Sequence, residues 1–258
     1  MWFVLSNEFV NAMSAEVISE ERIAGVSEIK SGLPRRVEGV IAFLGLILAA
    51  PLIALAGVAI VVSSGRPVFF RQRRVGQHGR TFDLYKLRTM KPSASGPQIT
   101  SSNDARITRL GSFLRHTKLD ELPTLWNVLR GDMSLVGPRP EVPRFVKLED
   151  PIWQKVLSVR PGITDPVTLQ LRNEADLLTR IEGDTEQHYV DKLQPAKLKG
   201  YVAYLEERTW RSDLNVLCKT LVAVIAPREA PTQDDYCNNP YRYGFKPTHR
   251  ENRSSREP

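Results

Sequence analysis

The longest apolar run of the chain lies near its beginning. Residues 39–65 contain no charged side chain and consist mainly of Leu, Ile, Val, Ala and Gly. As one straight helix this run would be about 40 Å long, more than the roughly 30 Å hydrocarbon core of a bilayer. Pro51 lies near its centre, where it removes a backbone donor and clashes with the preceding turn. Basic residues flank the run on both sides, at Lys30, Arg35 and Arg36 and then at Arg66, Arg71, Arg73 and Arg74.

Two membrane arrangements account for this run. A spanning helix normally has its excess of Lys and Arg on one side only, whereas a helix that breaks and returns to the same face satisfies both flanks. The pattern therefore favours a re-entrant helix hairpin with its break at Ala50 and Pro51, and a simple span is the alternative. A cleavable signal peptide does not fit, because the run begins late, is too long and lacks a small-residue exit site.

The rest of the chain shows shorter patterns of mixed type. Strand-forming residues on either side of a Gly-Gln-His-Gly turn at 76–79 predict a β-hairpin. Pro suits the first position of a helix and Gly its end, which places another helix at 123–131. The predicted elements are strands at 67–72 and 81–86, a loop at 91–103, and helices at 110–118 and 123–131.

Two apolar stripes with helical spacing follow near the end of the chain. The first stripe contains Leu198, Val202 and Leu205, and the second contains Leu214, Leu217, Leu221 and Val224. Lysines and aromatic residues border both, as in helices that lie in a membrane interface, but core-facing stripes of a globular domain explain the spacing equally well. From Pro227 onward the polar, Pro-, Asn- and Arg-rich composition predicts disorder.

Charge is distributed unevenly along the 258 residues, whose net charge is +7. Between Arg66 and Lys118, twelve Lys and Arg residues stand against Asp83 and Asp104 alone, so the remainder is slightly acidic. Such a stretch suits nucleic acid, anionic lipid or a phosphorylated substrate. The two cysteines and four scattered histidines show no ligand spacing, which argues against a zinc site or a disulfide framework.

Two short motifs carry candidate chemistry. Asp120 and Glu121 form an adjacent carboxylate pair at a predicted helix start. An ionised Asp can attack phosphorus and a neighbouring Glu can hold Mg²⁺, but two acids also simply favour such a position. Arg139 lies between Pro138 and Pro140, where a fixed guanidinium would match phosphate geometry; a surface turn is the alternative.

Together these motifs resemble the bacterial sugar transferase family, the monotopic polyprenyl-phosphate phosphoglycosyl transferases, in its minimal catalytic form. The resemblance extends over roughly Val40 to Val224. The matching segments are Gly65–Gln72, Tyr85–Met90, Leu119–Pro123, Gly131–Pro140, Val159–Thr164 and the final helix after Asp213.

The resemblance and the patterns above imply an α+β, mostly helical fold for a monotopic membrane protein. Its expected parts are a proline-broken re-entrant helix hairpin, a short β-hairpin and amphipathic interfacial helices. The expected division is an N-terminal extension at 1–36, the membrane hairpin at 37–65, a cytoplasmic catalytic domain at 66–226 and a tail at 227–258. The implied location is the cytoplasmic face of the bacterial inner membrane.

The resemblance also implies a reaction. Asp120 would attack the sugar-linked phosphorus of a nucleotide diphosphate-sugar, such as a UDP-sugar, and expel the nucleoside monophosphate. The phosphosugar would then pass to polyprenyl (undecaprenyl) phosphate, the first membrane step of exopolysaccharide, capsule, O-antigen or glycoconjugate synthesis. Glu121, together with Asp120, would hold Mg²⁺. The implied phosphate-binding residues are Arg115, Arg139, Arg172, Lys86 and Arg88.

Three departures from the common family pattern and two rival functions accompany this interpretation. Ala50 stands where many members have Ser, Asp165 where Gly is frequent, and the segment around Arg172 diverges. A nonenzymatic basic module that binds membrane or nucleic acid would explain the charge, but not the acidic pair or the apolar run, and no nucleic-acid motif is present. A multi-span phosphosugar transferase would need more hydrophobic segments. Neither the sugar nor the oligomeric state is specified by the sequence.

Overall fold

The computed structural model describes residues 31–92, 96, 99–171, 174–179 and 184–225. Most of the predicted N-terminal extension, the predicted disordered tail and Arg172 lie outside these residues. The proposed division into an extension, a membrane hairpin, a catalytic domain and a tail therefore stays a prediction.

Helices dominate the described part of the chain, as predicted. The α-helices are α1 (Arg35–Ser64), α2 (Arg109–His116), α3 (Thr124–Arg130), α4 (Pro151–Val156), α5 (Pro166–Gln170), α6 (Glu174–Thr179), α7 (Thr185–His188), α8 (Gln194–Glu207) and α9 (Trp210–Ile225). The strands are β1 (Phe69–Val75), β2 (Thr81–Leu87), β3 (Ser134–Val136) and β4 (Gly162–Thr164). Short 3-10 turns occupy Gln77–Gly79, Leu119–Glu121 and Pro143–Phe145, and a π-helical turn occupies Tyr189–Leu193.

Helix α1 holds the long apolar run. Among the described helices it is the one that is long and apolar enough, by length and composition, to cross a membrane. Its outward side chains are apolar and open, with Leu48 79% and Val62 82% exposed. The helix continues through Ala50 and Pro51, so the predicted break does not interrupt it. Proline removes one amide donor, but its fixed φ suits a helix. A bend at this point stays a prediction.

Both ends of α1 are fastened to the rest of the chain. At the start, Arg35 donates to the carbonyl of Leu129 at 3.0 Å, and the buried Glu38 accepts from the amide of Leu135 at 3.1 Å. At the end, the guanidinium of Arg88 donates to the carbonyl of Ser64 at 3.0 Å. The helix therefore touches the folded domain at each of its termini.

The predicted β-hairpin is confirmed. Strands β1 and β2 pair antiparallel with Phe69 opposite Leu87 and Val75 opposite Thr81. The turn between them closes through a 3-10 turn in which His78 adopts a left-handed conformation with φ of 56°. Lys86 lies near the end of β2, and Arg88 is the first residue after the strand.

A second, smaller sheet was not predicted from the sequence. Strands β3 and β4 pair in parallel, with Ser134 opposite Gly162 and Val136 opposite Thr164. Each strand is three residues long, too short to show an alternating pattern. This pair lies in the interior, since all three residues of β3 are buried.

The two apolar stripes predicted near the end of the chain differ in burial. In α8, Leu198 and Leu205 are buried together with Tyr201 and Tyr204, so this stripe faces the core and the interfacial interpretation is wrong for it. Helix α9 buries Val216 but leaves an apolar face open. Its exposed apolar residues are Trp210, Leu214, Leu221, Val222 and Val224.

Candidate active site

The carboxylate pair lies in a tight turn between α2 and α3. Lys118 takes a left-handed conformation with φ of 59°, and a 3-10 turn then carries Asp120 and Glu121. Helix α3 begins at Thr124, one residue later than predicted, and its hydroxyl donates to the carbonyl of Glu121 at 2.6 Å. The end at Gly131, with φ of 90°, is as predicted.

Glu121 is held between two cations. The ammonium of Lys86 donates to its Oε1 at 2.8 Å, and Arg139 donates to Oε1 at 2.5 Å and to Oε2 at 3.3 Å. Burial opposes ionisation of Glu121, but the charges of Arg139 and Lys86 outweigh it and hold its pKa well below the usual range. Glu121 is therefore a fixed negative charge that aligns an ammonium and a guanidinium.

Asp120 has a different environment although it is the next residue. It is 7% exposed, and among the described residues its carboxylate forms no hydrogen bond or contact ion pair. Burial raises the pKa of Asp120, partly offset by the nearby charge of Lys86, while the charge of Glu121 raises it further. Adjacent groups whose pKa values are pushed apart are typical of catalytic pairs.

Arg115 approaches this pair from α2. Its Nε donates to Thr89 Oγ1 at 2.8 Å, which fixes the guanidinium. Burial lowers the pKa of Arg115, and the charge of Asp120 is the largest effect that opposes this. Helix α2 can pack closely against Thr89 because Gly111 has no side chain. A Cβ at this position would stand 1.9 Å from the carbonyl oxygen of Thr89.

Arg139 is placed by the small parallel sheet. The amide of Gly137 donates to the carbonyl of Thr164 at 3.0 Å, and the amide of Gly162 donates to the carbonyl of Pro138 at 2.9 Å. A Cβ on Gly162 would stand 2.1 Å from the nitrogen of Gly137, so only glycine permits this approach. The sheet and the flanking prolines position Arg139 so that its guanidinium donates to Glu121. The alternative interpretation of this segment as a surface turn is therefore wrong.

A second layer of polar residues supports the loop of Arg139. The guanidinium of Arg74 donates to the carbonyl of Pro140 at 2.9 Å and lies 3.5 Å from a carboxylate oxygen of Glu141. That carboxylate in turn accepts from the hydroxyl of Tyr189, which Lys197 approaches at 3.2 Å. Sequence reasoning missed this layer, because its members are scattered along the chain from Arg74 to Lys197 and belong to no common motif.

Asn127 is a further residue that the sequence did not reveal. It is fully buried on α3, its amide donates to the carbonyl of Asp83 at 2.7 Å, and its Oδ1 accepts from the amide of Tyr85 at 3.1 Å. These two bonds fasten α3 to the edge of β2. They bring Lys86, the next residue of the strand, to Glu121.

The predicted phosphate-binding residues do not all converge. Lys86 and Arg139 donate to Glu121, and Arg115 lies near enough to Asp120 to feel its charge; their role in phosphate binding stays a prediction. Arg88 instead donates to the carbonyls of Ser64 and Gly65 at the end of α1, at 3.0 and 2.7 Å. Arg172 lies outside the described residues.

The carboxylate pair offers oxygen donors of the kind that Mg²⁺ binds. Mg²⁺ takes one or two carboxylates together with phosphate oxygens and water. Within the described ranges, no group of three or more His, Cys, Asp or Glu residues could hold a metal ion. The carboxylate of Asp120 has no hydrogen-bond partner among the described residues, and Glu121 Oε2 accepts one bond of 3.3 Å from Arg139. Two carboxylates alone are too few ligands for this ion, so Mg²⁺ binding by Asp120 and Glu121 stays a prediction.

Comparisons with known proteins give this arrangement a context. The family described as "Bacterial sugar transferase" matches residues 29–227. The exopolysaccharide production protein ExoY of Sinorhizobium fredii is 37% identical over 185 residues, 65% of this chain and 78% of that protein. The UDP-glucose:undecaprenyl-phosphate glucose-1-phosphate transferase of Caulobacter vibrioides is 35% identical over 188 residues, 71% of this chain and 66% of that protein.

The enzyme of Escherichia coli with the same description is 35% identical over 185 residues, 69% of this chain and 39% of that protein. The chain thus spans between 39% and 78% of the length of these three relatives. The family match includes all the site residues described above and most of the chain. The chain belongs to the bacterial sugar transferase family.

Proposed function

We propose that this chain transfers a sugar 1-phosphate from a UDP-sugar to undecaprenyl phosphate, with Asp120 as the nucleophile. The observation that carries the proposal is the contrast between Asp120 and Glu121. The carboxylate of Asp120 is buried but has no hydrogen-bond partner among the described residues, whereas that of Glu121 is held by Lys86 and Arg139. Relatives described as acting between UDP-glucose and undecaprenyl phosphate support the donor and acceptor classes.

In the first step, a carboxylate oxygen of Asp120 forms a bond to the phosphorus that carries the sugar. The bond from that phosphorus to the bridging oxygen breaks, and UMP leaves with the electron pair. Lys86, Arg115 and Arg139 offset the charge that develops on the phosphate oxygens. An arginine fork suits this task because it can donate to two oxygens at once.

In the second step, a phosphate oxygen of the acceptor attacks the same phosphorus. The bond to Asp120 breaks, the carboxylate is regenerated, and a polyprenyl-diphosphate-sugar is released. No proton is consumed when the acceptor enters as its dianion. Two displacements at one carboxylate make the reaction ping-pong.

Glu121 positions the cations rather than attacking. Mg²⁺ held by Asp120 and Glu121 would neutralise diphosphate charge as UMP departs. We assign Arg172 to phosphate binding as well, on the family resemblance alone. Chelation of Mg²⁺ with EDTA is expected to stop UMP release, and added Mg²⁺ to restore it; undiminished release in EDTA would contradict the metal assignment.

We further propose that α1 is a re-entrant membrane helix and that the domain lies on the cytoplasmic face of the bacterial inner membrane. The hydrogen bonds that tie both ends of α1 to the folded domain support the re-entrant arrangement. They require both ends of the helix to lie on the same side of the membrane as the domain. The apolar outward face of α1 and the open apolar face of α9 supply surfaces for the bilayer.

The product class indicates the place of the reaction. A polyprenyl-diphosphate-sugar is a membrane-bound starter for further glycosyl transfer, as in exopolysaccharide, capsule, O-antigen or glycoconjugate synthesis. The relatives are described with glucose and with N-acetylgalactosamine as the transferred sugar. The proposal therefore commits to UDP-sugars as a class.

The proposal is tested with membrane fractions, radiolabelled UDP-sugars and undecaprenyl phosphate. Wild type should release UMP and label the lipid, and Asp120→Asn should lose both activities by at least about 10³-fold, since the nucleophile is gone. Asp191→Asn, at an exposed position of the same residue type, should match wild type. Full activity of Asp120→Asn would refute the role of this residue. Mass spectrometry of wild type quenched without acceptor should find the phosphosugar on Asp120.

A further inference from the structure

Strand β1 carries two neighbouring phenylalanines that are equally exposed but lie on opposite faces of the hairpin. Phe69 and Phe70 are each 47% exposed, and successive side chains of a strand point to opposite faces. Phe69 lines an apolar recess along α1 together with Gly57 and Val61. Among the described residues, Phe70 belongs to none of the buried apolar clusters. Phe70 therefore presents an aromatic surface that the described core does not use.

The face that carries Phe70 is the face of the candidate active site. Phe70 pairs directly with Lys86 across the hairpin. Directly paired residues of an antiparallel sheet share a face, with their Cβ atoms about 5 Å apart. The ammonium of Lys86 donates to Glu121 Oε1 at 2.8 Å. The ring of Phe70 thus lies beside the cation that holds Glu121.

Gln72 follows on the same face of β1, because alternate residues of a strand share a face. Its Oε1 accepts from Nε and Nη2 of Arg74 at 3.1 and 2.7 Å. Since an arginine only donates, the amide oxygen must face Arg74 and the NH₂ group must point elsewhere. Among the described residues, this NH₂ group donates no hydrogen bond. Gln72 therefore offers an oriented donor close to Phe70.

Arg74 connects Gln72 to the loop of Arg139. Its Nη1 donates to the carbonyl of Pro140 at 2.9 Å. Burial lowers the pKa of Arg74, the charge of Glu141 opposes this, and the charge of Arg139 lowers it further. Gln72 is consequently separated by a single arginine side chain from the loop that carries a predicted phosphate-binding residue.

We propose that Phe70 and Gln72 bind the base of the nucleotide donor, which stacks on the ring of Phe70 and accepts a hydrogen bond from Gln72 Nε2 through a carbonyl oxygen. This inference rests on the proposed function and extends it from the diphosphate to the base. Residues two apart in a strand stand about 7 Å apart, so the amide of Gln72 can reach the edge of a ring that lies on Phe70. Uracil has flat faces for stacking and two carbonyl acceptors on its edge. The diphosphate would then extend from the base toward Lys86 and Arg139.

The first test measures the contribution of the base to binding, without turnover. The full chain in nanodiscs is titrated calorimetrically with UDP and with 1,4-anhydroribitol 5-diphosphate, which carries hydrogen in place of the base. Wild type should bind UDP more tightly, and Phe70→Ala should weaken UDP binding by at least about fivefold while binding of the abasic compound stays unchanged. Failure of wild type to prefer UDP, or an unchanged preference in Phe70→Ala, would overturn the proposal.

Phe69→Ala is the matched control, because it removes the same side chain, with the same exposure, from the opposite face of β1. It should bind UDP within about twofold of wild type. Phe70→Trp should keep the preference for UDP, whereas Phe70→Leu should lose it, since leucine is apolar but cannot stack. Equal weakening by Phe69→Ala and Phe70→Ala would contradict a specific base contact.

The second test concerns the donor on Gln72. Gln72→Glu keeps an oxygen for Arg74 but replaces the free NH₂ group by a second acceptor. The ratio of the two Kd values, abasic compound to UDP, should fall by at least about threefold. Any effect of the added negative charge on the diphosphate appears equally in both compounds and cancels in the ratio. An unchanged ratio would show that Gln72 does not contact the base.

The third test separates base binding from attachment to the membrane, since an exposed aromatic side chain also suits a lipid interface. In the release of UMP from a UDP-sugar, Phe70→Ala should raise KM and leave kcat nearly unchanged, because the base is bound equally in the ground state and the transition state. Flotation of the variant with liposomes should match wild type. Loss of flotation with an unchanged KM would assign Phe70 to the bilayer and overturn the proposal.

These results also distinguish the inference from the proposed function. If wild type prefers UDP to the abasic compound through Phe70 but releases no UMP from any UDP-sugar, the proposed transfer fails and the base site stands. If UMP release is normal and Phe70→Ala keeps the preference for UDP, the reaction stands and the base site is wrong.

Discussion

At the scale of single residues, the adjacent carboxylates show how position divides chemical roles. Glu121 points between Lys86 and Arg139 and is ionised at any physiological pH, because these charges lower its pKa. Asp120 forms no hydrogen bond or contact ion pair with them, and burial raises its pKa although the charge of Lys86 opposes this. A carboxylate with a higher pKa is a more basic and better nucleophile, provided that it is ionised.

The first prediction concerns the acid limb of UMP release. Asp120 must be ionised to attack, so the rate should fall as pH drops through its pKa, above the ordinary Asp value of about 3.9. In Glu121→Gln, the neighbouring negative charge is lost while Lys86 remains, so the pKa of Asp120 should fall. The measured acid limb of kcat/KM should therefore move to lower pH, with a smaller maximal rate. An unmoved or raised limb would contradict this electrostatic account.

The second prediction concerns stability and Asp165, which caps α5 from a fully buried position. Burial raises the pKa of Asp165 to about 6, against the bonds it accepts from Thr168. Because the folded chain binds this proton more tightly than the unfolded chain, the free energy of unfolding should fall as pH rises through about 6. The loss between pH 4 and 7 should be about 2 kcal/mol for this group.

Asp165→Asn keeps an acceptor for the helix cap but does not titrate. Thermal unfolding of detergent-solubilised protein at a series of pH values should show the difference. Relative to the variant, wild type should lose stability between pH 4 and 7. Parallel pH profiles for the two proteins would show that Asp165 does not titrate in this range.

At the scale of elements, local patterns predicted what local sequence determines. The hairpin of β1 and β2 follows from β-forming residues around a glycine turn, and α3 from a proline before it and Gly131 after it. The parallel pair of β3 and β4 did not follow, because two three-residue strands joined through a helix carry no periodic signal. Pairing between segments distant in sequence is settled by tertiary packing.

The residues of the candidate site likewise fall into two groups, those that the sequence could predict and those that it could not. Asp120, Glu121 and Arg139 stand in motifs that the sequence itself singles out, whereas Lys86 and Arg115 were expected only from the family resemblance. The residues that hold them in place were not predictable, because their partners are backbone groups or side chains on distant elements. Asn127 is the clearest case, since nothing about a single Asn in a helical pattern indicates that its side chain hydrogen-bonds to the backbone of β2.

The third prediction tests the hydrogen bonds between Asn127 and β2. Asn127→Ala leaves the carbonyl of Asp83 and the amide of Tyr85 without their partner, which should lower the free energy of unfolding by about 2 to 4 kcal/mol. UMP release should also fall, since Lys86 is no longer held at Glu121. Asn215→Ala, at an exposed position on α9, serves as the control and should change neither. A fall in stability with unchanged kcat would limit Asn127 to a structural role.

At the scale of the whole molecule, the attachments of α1 restrict how the chain can meet a bilayer. The start of α1 is bound through Glu38, which lies 3.4 Å from Arg160 and is 1% exposed. The end of α1 is bound through Ser64, which contacts Arg88. A helix that crosses the bilayer must leave one of its ends on the far side, where the domain could not reach it. Retaining both attachments requires both ends on one side.

The last prediction turns this restriction into a topology experiment. Cys218 and Cys237 are first replaced by Ser. Single cysteines are then placed at two exposed positions, Ser31 before the apolar run and Ser63 near its end. In inside-out vesicles, a membrane-impermeant maleimide should label both positions; in intact spheroplasts it should label neither until the membrane is permeabilised. Glu38→Gln weakens the attachment at the start of α1 and should leave labelling at Ser63 unchanged. This control shows whether the side from which Ser63 is labelled depends on that attachment. Labelling of the two cysteines from opposite sides would show that α1 spans the membrane, and the attachments at its two ends could not then exist together.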